Sequence, residues 1–237
     1  MFSMHSTKLQ QAKGLTQRLP WKTLLTIAAA VMVAQFPGWS TWLVYDRSAI
    51  LAGQVWRMFT GHWVHFSSSH LCYDSVALGI AGWIIETQKL PKFGWLCLLA
   101  PWFISAALLF LAPQMEIYGG LSALATAALV YLGLCGLLEN SSWRWVCLVV
   151  LAGVAIKIGA EMLAGHMLFA TTANSQITVS TASHCFGVAV ALMLFCQGIS
   201  SSKNRVIFRR ATWLESPQKA PAGLTMPPSR TAHLARS

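Results

Sequence analysis

The sequence predicts an all-α membrane protein with six transmembrane helices and a partly embedded first outer loop. Hydrophobic residues make up 55% of the 237 residues and charged residues only 10%, against roughly 25% charged residues in a typical soluble domain. The long uncharged stretches reach about 20 residues, which is the length that a helix needs to cross the hydrocarbon core. Lys and Arg residues are concentrated towards the two ends of the chain.

Six apolar segments account for the predicted helices. Their bounds are 22–44, 70–87, 93–112, 119–138, 143–164 and 178–199. Pro37-Gly38 interrupts the first segment and predicts a kink, because proline cannot donate a helical hydrogen bond. The chain therefore divides into a basic cytoplasmic N-terminal segment (1–21), a membrane domain (22–199) and a basic, disordered cytoplasmic tail (200–237).

The distribution of positive charge predicts the orientation. If the N-terminus is cytoplasmic, 14 of the 17 Lys and Arg residues fall on the cytoplasmic side. This bias predicts that both termini are cytoplasmic in a multi-pass protein of a bacterial inner membrane. The connection 45–69 then lies outside, and its tryptophans and histidines favour a structured, partly embedded loop. The net charge of +10 is assigned to contacts with membrane lipid, and not to nucleic acid.

Polar residues inside the predicted helices mark candidate functional positions, because they are costly in lipid. They are His70, Asp74, Ser122, Thr126, Lys157, Glu161 and His184. The second, fourth and sixth helices all run inwards from the outer side. Ser122 and His184 therefore lie at a similar depth, roughly 5–10 Å below the outer surface, and His70 opens the second helix on the same side.

Such a cluster suits acyl transfer. A serine hydroxyl becomes a useful nucleophile when a base removes its proton, so Ser122 and His184 are the candidate catalytic residues. His70 and the backbone N–H of Ser122 are candidate donors to the oxyanion. Gly120, in the pair Gly119-Gly120, permits a tight turn into the helix and a close approach.

The same residues carry a resemblance to the rhomboid family. Four motifs occur in the same order as in that family. Trp56-Arg57 resembles its W-R pair, and residues 65–74, which begin at His65 and end at Asp74, resemble its H-x4-H-x3-N motif. Residues 120–123 resemble its G-x-S-G motif, and residues 182–187 resemble its A-H-x-x-G motif with one residue inserted. The segments 60–62 and 118–122 also resemble the rhombosortase branch.

The resemblance implies a rhomboid-like bundle and an intramembrane serine endopeptidase that uses a Ser122–His184 dyad. It further implies that His70 and Asp74 line the oxyanion site and that His65 supports the loop. The substrates implied are transmembrane proteins cut near the outer face, or C-terminally anchored proteins in the case of a rhombosortase. No cofactor is implied, and no metal is expected because the sequence has no H-E-x-x-H and no third ligand for His65 and His70.

Three departures from the family motifs leave an alternative open. Asp74 stands in place of Asn, and a carboxyl group can donate to an oxyanion only when it is protonated. Ala123 replaces a glycine, and Thr126 replaces an aromatic residue. The alternative is a catalytically inactive rhomboid-like protein that binds membrane helices.

Lys157 and Glu161 are four residues apart. They predict an internal ion pair that faces the bundle, with substrate gating as the other interpretation. A small transporter would need polar groups at all depths, and the polar cluster lies on one side.

Overall fold

The structure, a computed structural model, describes residues 19–139, 141–164 and 181–200. In chain order the elements are α1 (Trp21–Gln35), α2 (Pro37–Leu43), β1 (Tyr45–Asp46), α3 (Arg47–Leu51), α4 (Arg57–Thr60), a 3-10 turn (Gly61–Trp63), α5 (Ser68–Thr87), α6 (Phe93–Leu111), β2 (Ile117–Tyr118), α7 (Ser122–Leu137), α8 (Trp143–Ala164) and α9 (Thr181–Ser200). The expected tail and most of the N-terminal segment lie outside the described residues.

Three of the described helices, α6, α8 and α9, are long and apolar enough to cross a membrane by length and composition. Helices α1 and α7 are apolar but shorter, with 15 and 16 residues. Helix α5 has 20 residues but is less apolar because it carries His70 and Asp74. The helical architecture is therefore confirmed, whereas six membrane crossings remain a prediction.

The first predicted segment is interrupted where the proline predicts it. Helix α1 ends at Gln35 and α2 begins at Pro37. Between them Phe36 has φ −119° and ψ 89°, an extended conformation that a residue before proline favours. The fifth predicted segment, 143–164, matches α8 at both ends.

Helix α7 lies at the centre of the fold and packs against α5, α6, α8 and α9. Twelve of its 16 residues are buried, and six of those twelve are alanine or glycine. Small side chains let neighbouring helices approach closely, which is the usual way that helices associate in a membrane. Near its first turn, α9 approaches so closely that a Cβ on Gly187 would overlap the carbonyl oxygen of Ala123.

The loop between α2 and α5 is ordered around a buried arginine. Arg57 donates to the carbonyl oxygens of Thr41 and Val44, each at 2.9 Å, and to Gln54 Oε1 at 2.7 Å. Since α2 ends at Leu43, these bonds satisfy carbonyl groups that the helix leaves free. The expected structured loop is therefore present.

The loop also fixes the chain that leads into α7. Strands β1 and β2 pair antiparallel, with Tyr45 opposite Tyr118, four residues before Ser122. His62 is fully buried and lies 3.1 Å from the Pro101 carbonyl oxygen of α6 through Nε2. The loop thus connects the start of α7 to α6.

Candidate active site

A cavity of about 360 Å³ lies among α5, α7, α8 and α9. We name it the central cavity. The residues that line it are His70, Tyr73, Asp74, Val76, Ala77, Ser122, Ala125, Thr126, Leu129, Val154, Lys157, Glu161 and His184. It therefore brings together all seven polar residues that the sequence marks within the predicted helices.

Ser122 is the first residue of α7, and His184 lies in the first turn of α9. Both side chains line the central cavity; His184 is buried, and Ser122 is half-buried with its Oγ atom out of contact with solvent. The Oγ atom of Ser122 and the Nε2 atom of His184 have no hydrogen-bond partner of normal geometry among the described residues. A buried polar atom without a partner is costly, so the pair has an unmet capacity to bond to each other or to a substrate.

The start of α7 is set by the glycine pair. Gly120 has φ +128°, and a Cβ there would lie 2.7 Å from Cε1 of His70. Such a positive φ favours glycine, and the close approach leaves no room for a side chain. The predicted helical start at residue 119 is therefore wrong by three residues, because Gly119 and Gly120 belong to the turn and not to the helix.

On the α5 side of the cavity, Asp74 lies between two histidines. Its Oδ2 atom is 3.1 Å from Nε2 of His65 and 3.2 Å from Nε2 of His70. The second contact is close but poorly aligned, since neither ring nitrogen of His70 has a hydrogen bond of normal geometry among the described residues. Asp74 thus contacts the predicted supporting residue and the predicted oxyanion donor together.

The neighbours of His65 constrain its protonation. Its Nδ1 atom is 3.2 Å from the Trp63 carbonyl oxygen, and its Nε2 atom accepts from the Leu121 N–H at 3.3 Å. Because a carbonyl group can only accept, Nδ1 carries a proton. Because Nε2 then acts as an acceptor, its additional contact with Asp74 requires one more proton, on the carboxyl group.

On the opposite side of the cavity, Glu161 of α8 contacts His184. Glu161 Oε2 is 2.9 Å from His184 Nδ1, and both side chains are 1% exposed. Its other oxygen, Oε1, is 2.8 Å from Lys157 Nζ, so the expected Lys157–Glu161 ion pair is confirmed. Lys157 Nζ is also 3.3 Å from His184 Nδ1.

Sequence reasoning missed the contact between Glu161 and His184. Depth was the signal that could have found it, because Glu161 lies three residues before the end of α8 and His184 three residues after the start of α9. These two ends face the same side of the membrane in the predicted topology. The argument that places Ser122 beside His184 applies equally to Glu161.

Among the described residues, no group of three or more His, Cys, Asp or Glu side chains could hold a metal ion. The polar groups that line the central cavity are three hydroxyls, two imidazoles, two carboxyl groups and one amine.

Comparison with known proteins identifies the family of the chain. No curated protein matches the chain. The Rhomboid domain family matches residues 52–199, which include α4 to α9 and every residue that lines the central cavity. With apolar helices of membrane-spanning length, the chain is an integral membrane protein. Since the match covers more than half of the sequence, the chain belongs to the rhomboid family.

Proposed function

We propose that the protein is an intramembrane serine endopeptidase with Ser122 as the nucleophile and His184 as the general base. The observation that supports this proposal best is that two buried atoms, Ser122 Oγ and His184 Nε2, line one cavity and have no hydrogen-bond partner of normal geometry in the described part of the chain. Rhomboid-family proteins are generally serine intramembrane proteases that act on transmembrane proteins.

The reaction follows from these two groups. His184 Nε2 takes the hydroxyl proton as Ser122 Oγ forms a bond to the carbonyl carbon of the scissile peptide. The tetrahedral intermediate then breaks its C–N bond, and the leaving amine takes the proton from Nε2. A water molecule, activated by the same nitrogen, hydrolyses the acyl-enzyme and restores Ser122.

Donors for the oxyanion are available next to the nucleophile. Helix α7 begins at Ser122 without a side-chain cap, so its first N–H groups are free to donate towards a developing negative charge. His70 lines the same cavity and packs against Gly120. We assign the backbone N–H of Ser122 and a ring N–H of His70 to the oxyanion site, with Asp74 in contact with His70.

A transmembrane substrate can approach between α5 and α8. These helices line the cavity with Tyr73 and Val76 of α5 and Val154 of α8. Tyr73 and Val76 are each 55% exposed, so their apolar surface faces the lipid in a membrane. A helix that enters here meets Ser122 below the outer surface, which supports cleavage near that surface.

The lysines support the proposed orientation. Lys22, Lys89 and Lys92 line one cavity beside Glu86, near the end of α5. His70 lies near the start of the same helix, about 24 Å away at the helical rise. Cations at the end opposite the cluster fit a cytoplasmic N-terminus and an active site that opens outwards.

The proposed substrates include proteins with C-terminal membrane anchors. The basis for this narrower proposal is the resemblance of residues 60–62 and 118–122 to rhombosortases. Mass spectrometry of anchored membrane proteins, with and without this chain in the cell, would identify those whose C-terminal anchor is retained when the chain is absent. An unchanged anchored proteome would contradict this part of the proposal.

The experiment for the protease activity is labelling with a fluorophosphonate probe in detergent, together with cleavage of a single-span reporter. Wild type is expected to be labelled and to cleave, and Ser122→Ala to do neither. Ser75→Ala is the matched control, because Ser75 Oγ is also buried without a partner among the described residues but lies outside the central cavity. Equal cleavage by wild type and Ser122→Ala would contradict the proposal.

The alternative is an inactive rhomboid-like protein that binds membrane helices, and Asp74 favours it. A carboxylate near the oxyanion site opposes the charge that develops there. In that case wild type would show neither labelling nor cleavage. Photocrosslinking to a single-span helix would then persist in both wild type and Ser122→Ala.

A further inference from the structure

We infer that Glu161 is a positioning residue for His184, so that the site works as a Ser122–His184–Glu161 triad and not as a dyad. The inference rests on the proposed protease function and assigns a role to a carboxylate that the dyad does not use. It depends on the 2.9 Å contact between Glu161 Oε2 and His184 Nδ1, on the opposite side of the ring from Nε2.

The contact selects one tautomer of His184. If Nδ1 lacked a proton, it could accept from Lys157 Nζ at 3.3 Å, but its lone pair would also face the nearer carboxylate oxygen at 2.9 Å, with both atoms buried. The stable arrangement places the proton on Nδ1 and donates it to Glu161. Nε2 is then the atom with the free lone pair, which is the form needed to take the proton from Ser122.

The contact also holds the ring in place. Helix α9 carries His184, and α8 carries Glu161, so the bond joins two helices at the cavity. A ring held at Nδ1 keeps Nε2 directed at the cavity, where it has no partner among the described residues. When His184 accepts the proton of Ser122, the ring becomes a cation beside the carboxylate, which stabilises it.

Lys157 explains how the carboxylate can remain charged in this place. Glu161 uses a different oxygen for each neighbour, Oε1 for Lys157 at 2.8 Å and Oε2 for His184 at 2.9 Å. A lone buried carboxylate in a membrane helix would be costly. With Lys157 as a permanent counter-ion, Glu161 has a partner whether His184 is neutral or protonated.

A purely structural ion pair is the competing explanation, and the two make different predictions for a double substitution. If Glu161 serves only to neutralise Lys157, then removing both charges together should restore activity. If Glu161 orients His184, the double variant should remain as slow as the single glutamate variant. Comparison of Lys157→Met with Lys157→Met/Glu161→Gln therefore isolates the effect of Glu161 on His184.

The test uses full-length protein in detergent and measures kcat and KM for a single-span reporter. In Glu161→Gln the amide can donate to Nδ1 and stabilise the wrong tautomer, so kcat should fall by about 10² to 10⁴, with a smaller change in KM. Glu161→Asp keeps the charge and should retain more of kcat than Glu161→Gln. Lys157→Met should lose less than about tenfold, because the contact with His184 persists.

Three results decide the question. A low kcat in both Glu161→Gln and the double variant, in protein that keeps a cooperative thermal transition, supports the triad. Wild-type kcat in Glu161→Gln, or recovery in the double variant, overturns it while the protease function stands. If Glu161→Gln does not fold, the double variant, which leaves neither Lys157 nor Glu161 as an unpaired buried charge, is compared with wild type: a low kcat supports the triad, and wild-type kcat overturns it.

Discussion

Helices α7 and α8 both contribute to the central cavity, but the fold holds them very differently. Twelve of the 16 residues of α7 are buried, whereas α8 buries Cys147 and Glu161 among its 22 residues. Its exposed side chains include Leu163 at 93% and Val149 at 72%. The candidate nucleophile therefore lies on a helix that packs against four other helices. The carboxylate that contacts His184 lies on a helix at the edge of the described fold.

The packing of α8 also changes along its length. In the half that begins at Trp143, Cys147 packs against Gly136 of α7 and Leu151 packs against Gly133. In the half that ends at Ala164, a Cβ on Gly159 would meet no atom within 4 Å. Glu161 is buried in that half, and its contact with His184 joins α8 to α9 there, so the position of α8 and the chemistry of the site are linked.

Among changes that leave the polar residues of the cavity in place, the largest effect is expected at the contact between α7 and α9. In Gly187→Ala the new methyl would overlap the Ala123 carbonyl oxygen, a backbone atom that cannot move aside. The overlap should cost about 1–3 kcal/mol of stability. It should also displace His184, three residues earlier, from Ser122, and a displacement of about 1 Å can lower kcat by about 10². Reporter cleavage and the thermal midpoint in detergent measure the two effects.

Gly153→Ala is the matched control on the edge helix. Its added methyl meets no atom within 4 Å, so both the rate and the midpoint should stay close to those of wild type. If Gly187→Ala proves as harmless as Gly153→Ala, the distinction between a fixed centre and a loosely packed edge is wrong.

Sequence patterns predict best those features that depend on one segment. The bounds of α8 and the break at Pro37 follow from local hydropathy and from the missing N–H of proline. The grouping of Ser122 and His184 in one cavity follows from their depth in helices that run in the same direction. These features need no knowledge of how one helix is rotated against another.

Features that depend on contacts between segments were not predicted. Helix α7 begins only at Ser122 because the preceding Gly120 and Gly119 lie in close contact with His70 and Val64. Hydropathy does not indicate such contacts. The bond between Glu161 and His184 depends on the rotation of α8 and α9 about their axes. His62 is fully buried against Pro101 because the loop folds onto α6, and the sequence pattern of the loop does not indicate this contact.

Acid is expected to change stability without a separate effect on kcat, through His62 between the loop and α6. Burial lowers the pKa of His62 from 6.5 to about 4, although the hydrogen bond to Pro101 opposes the shift. Below pH 6.5 the unfolded chain therefore binds a proton that the folded protein excludes. The contribution of His62 is fully present above pH 6.5 and falls towards pH 4, by about 3 kcal/mol in all at 1.36 kcal/mol per unit.

The measurement is the thermal midpoint in detergent between pH 4 and pH 8, for wild type and for His62→Gln. Glutamine does not titrate, so the difference between the two proteins should narrow as the pH falls through this window. Parallel curves would show that His62 does not titrate as its burial implies and that the connection between the outer loop and α6 has another origin.

The smallest effect is expected when Asp74 is replaced by the family residue. His65 donates from Nδ1 to the Trp63 carbonyl oxygen, so its Nε2 atom offers a lone pair towards position 74. In Asp74→Asn an amide N–H can donate to that lone pair without the additional proton that the carboxyl group requires. Cleavage should stay within about threefold of wild type, a change below about 1 kcal/mol in the barrier.

Asp74→Leu is the comparison, since it is similar in size but leaves His65 Nε2 and His70 without this partner. It should slow cleavage more than Asp74→Asn does, and both should be measured with their thermal midpoints. A folded Asp74→Asn protein as slow as Asp74→Leu would mean that the negative charge at position 74 is itself required. In that case the α5 side of the cavity would depend on a carboxylate, as we infer for the α8 side.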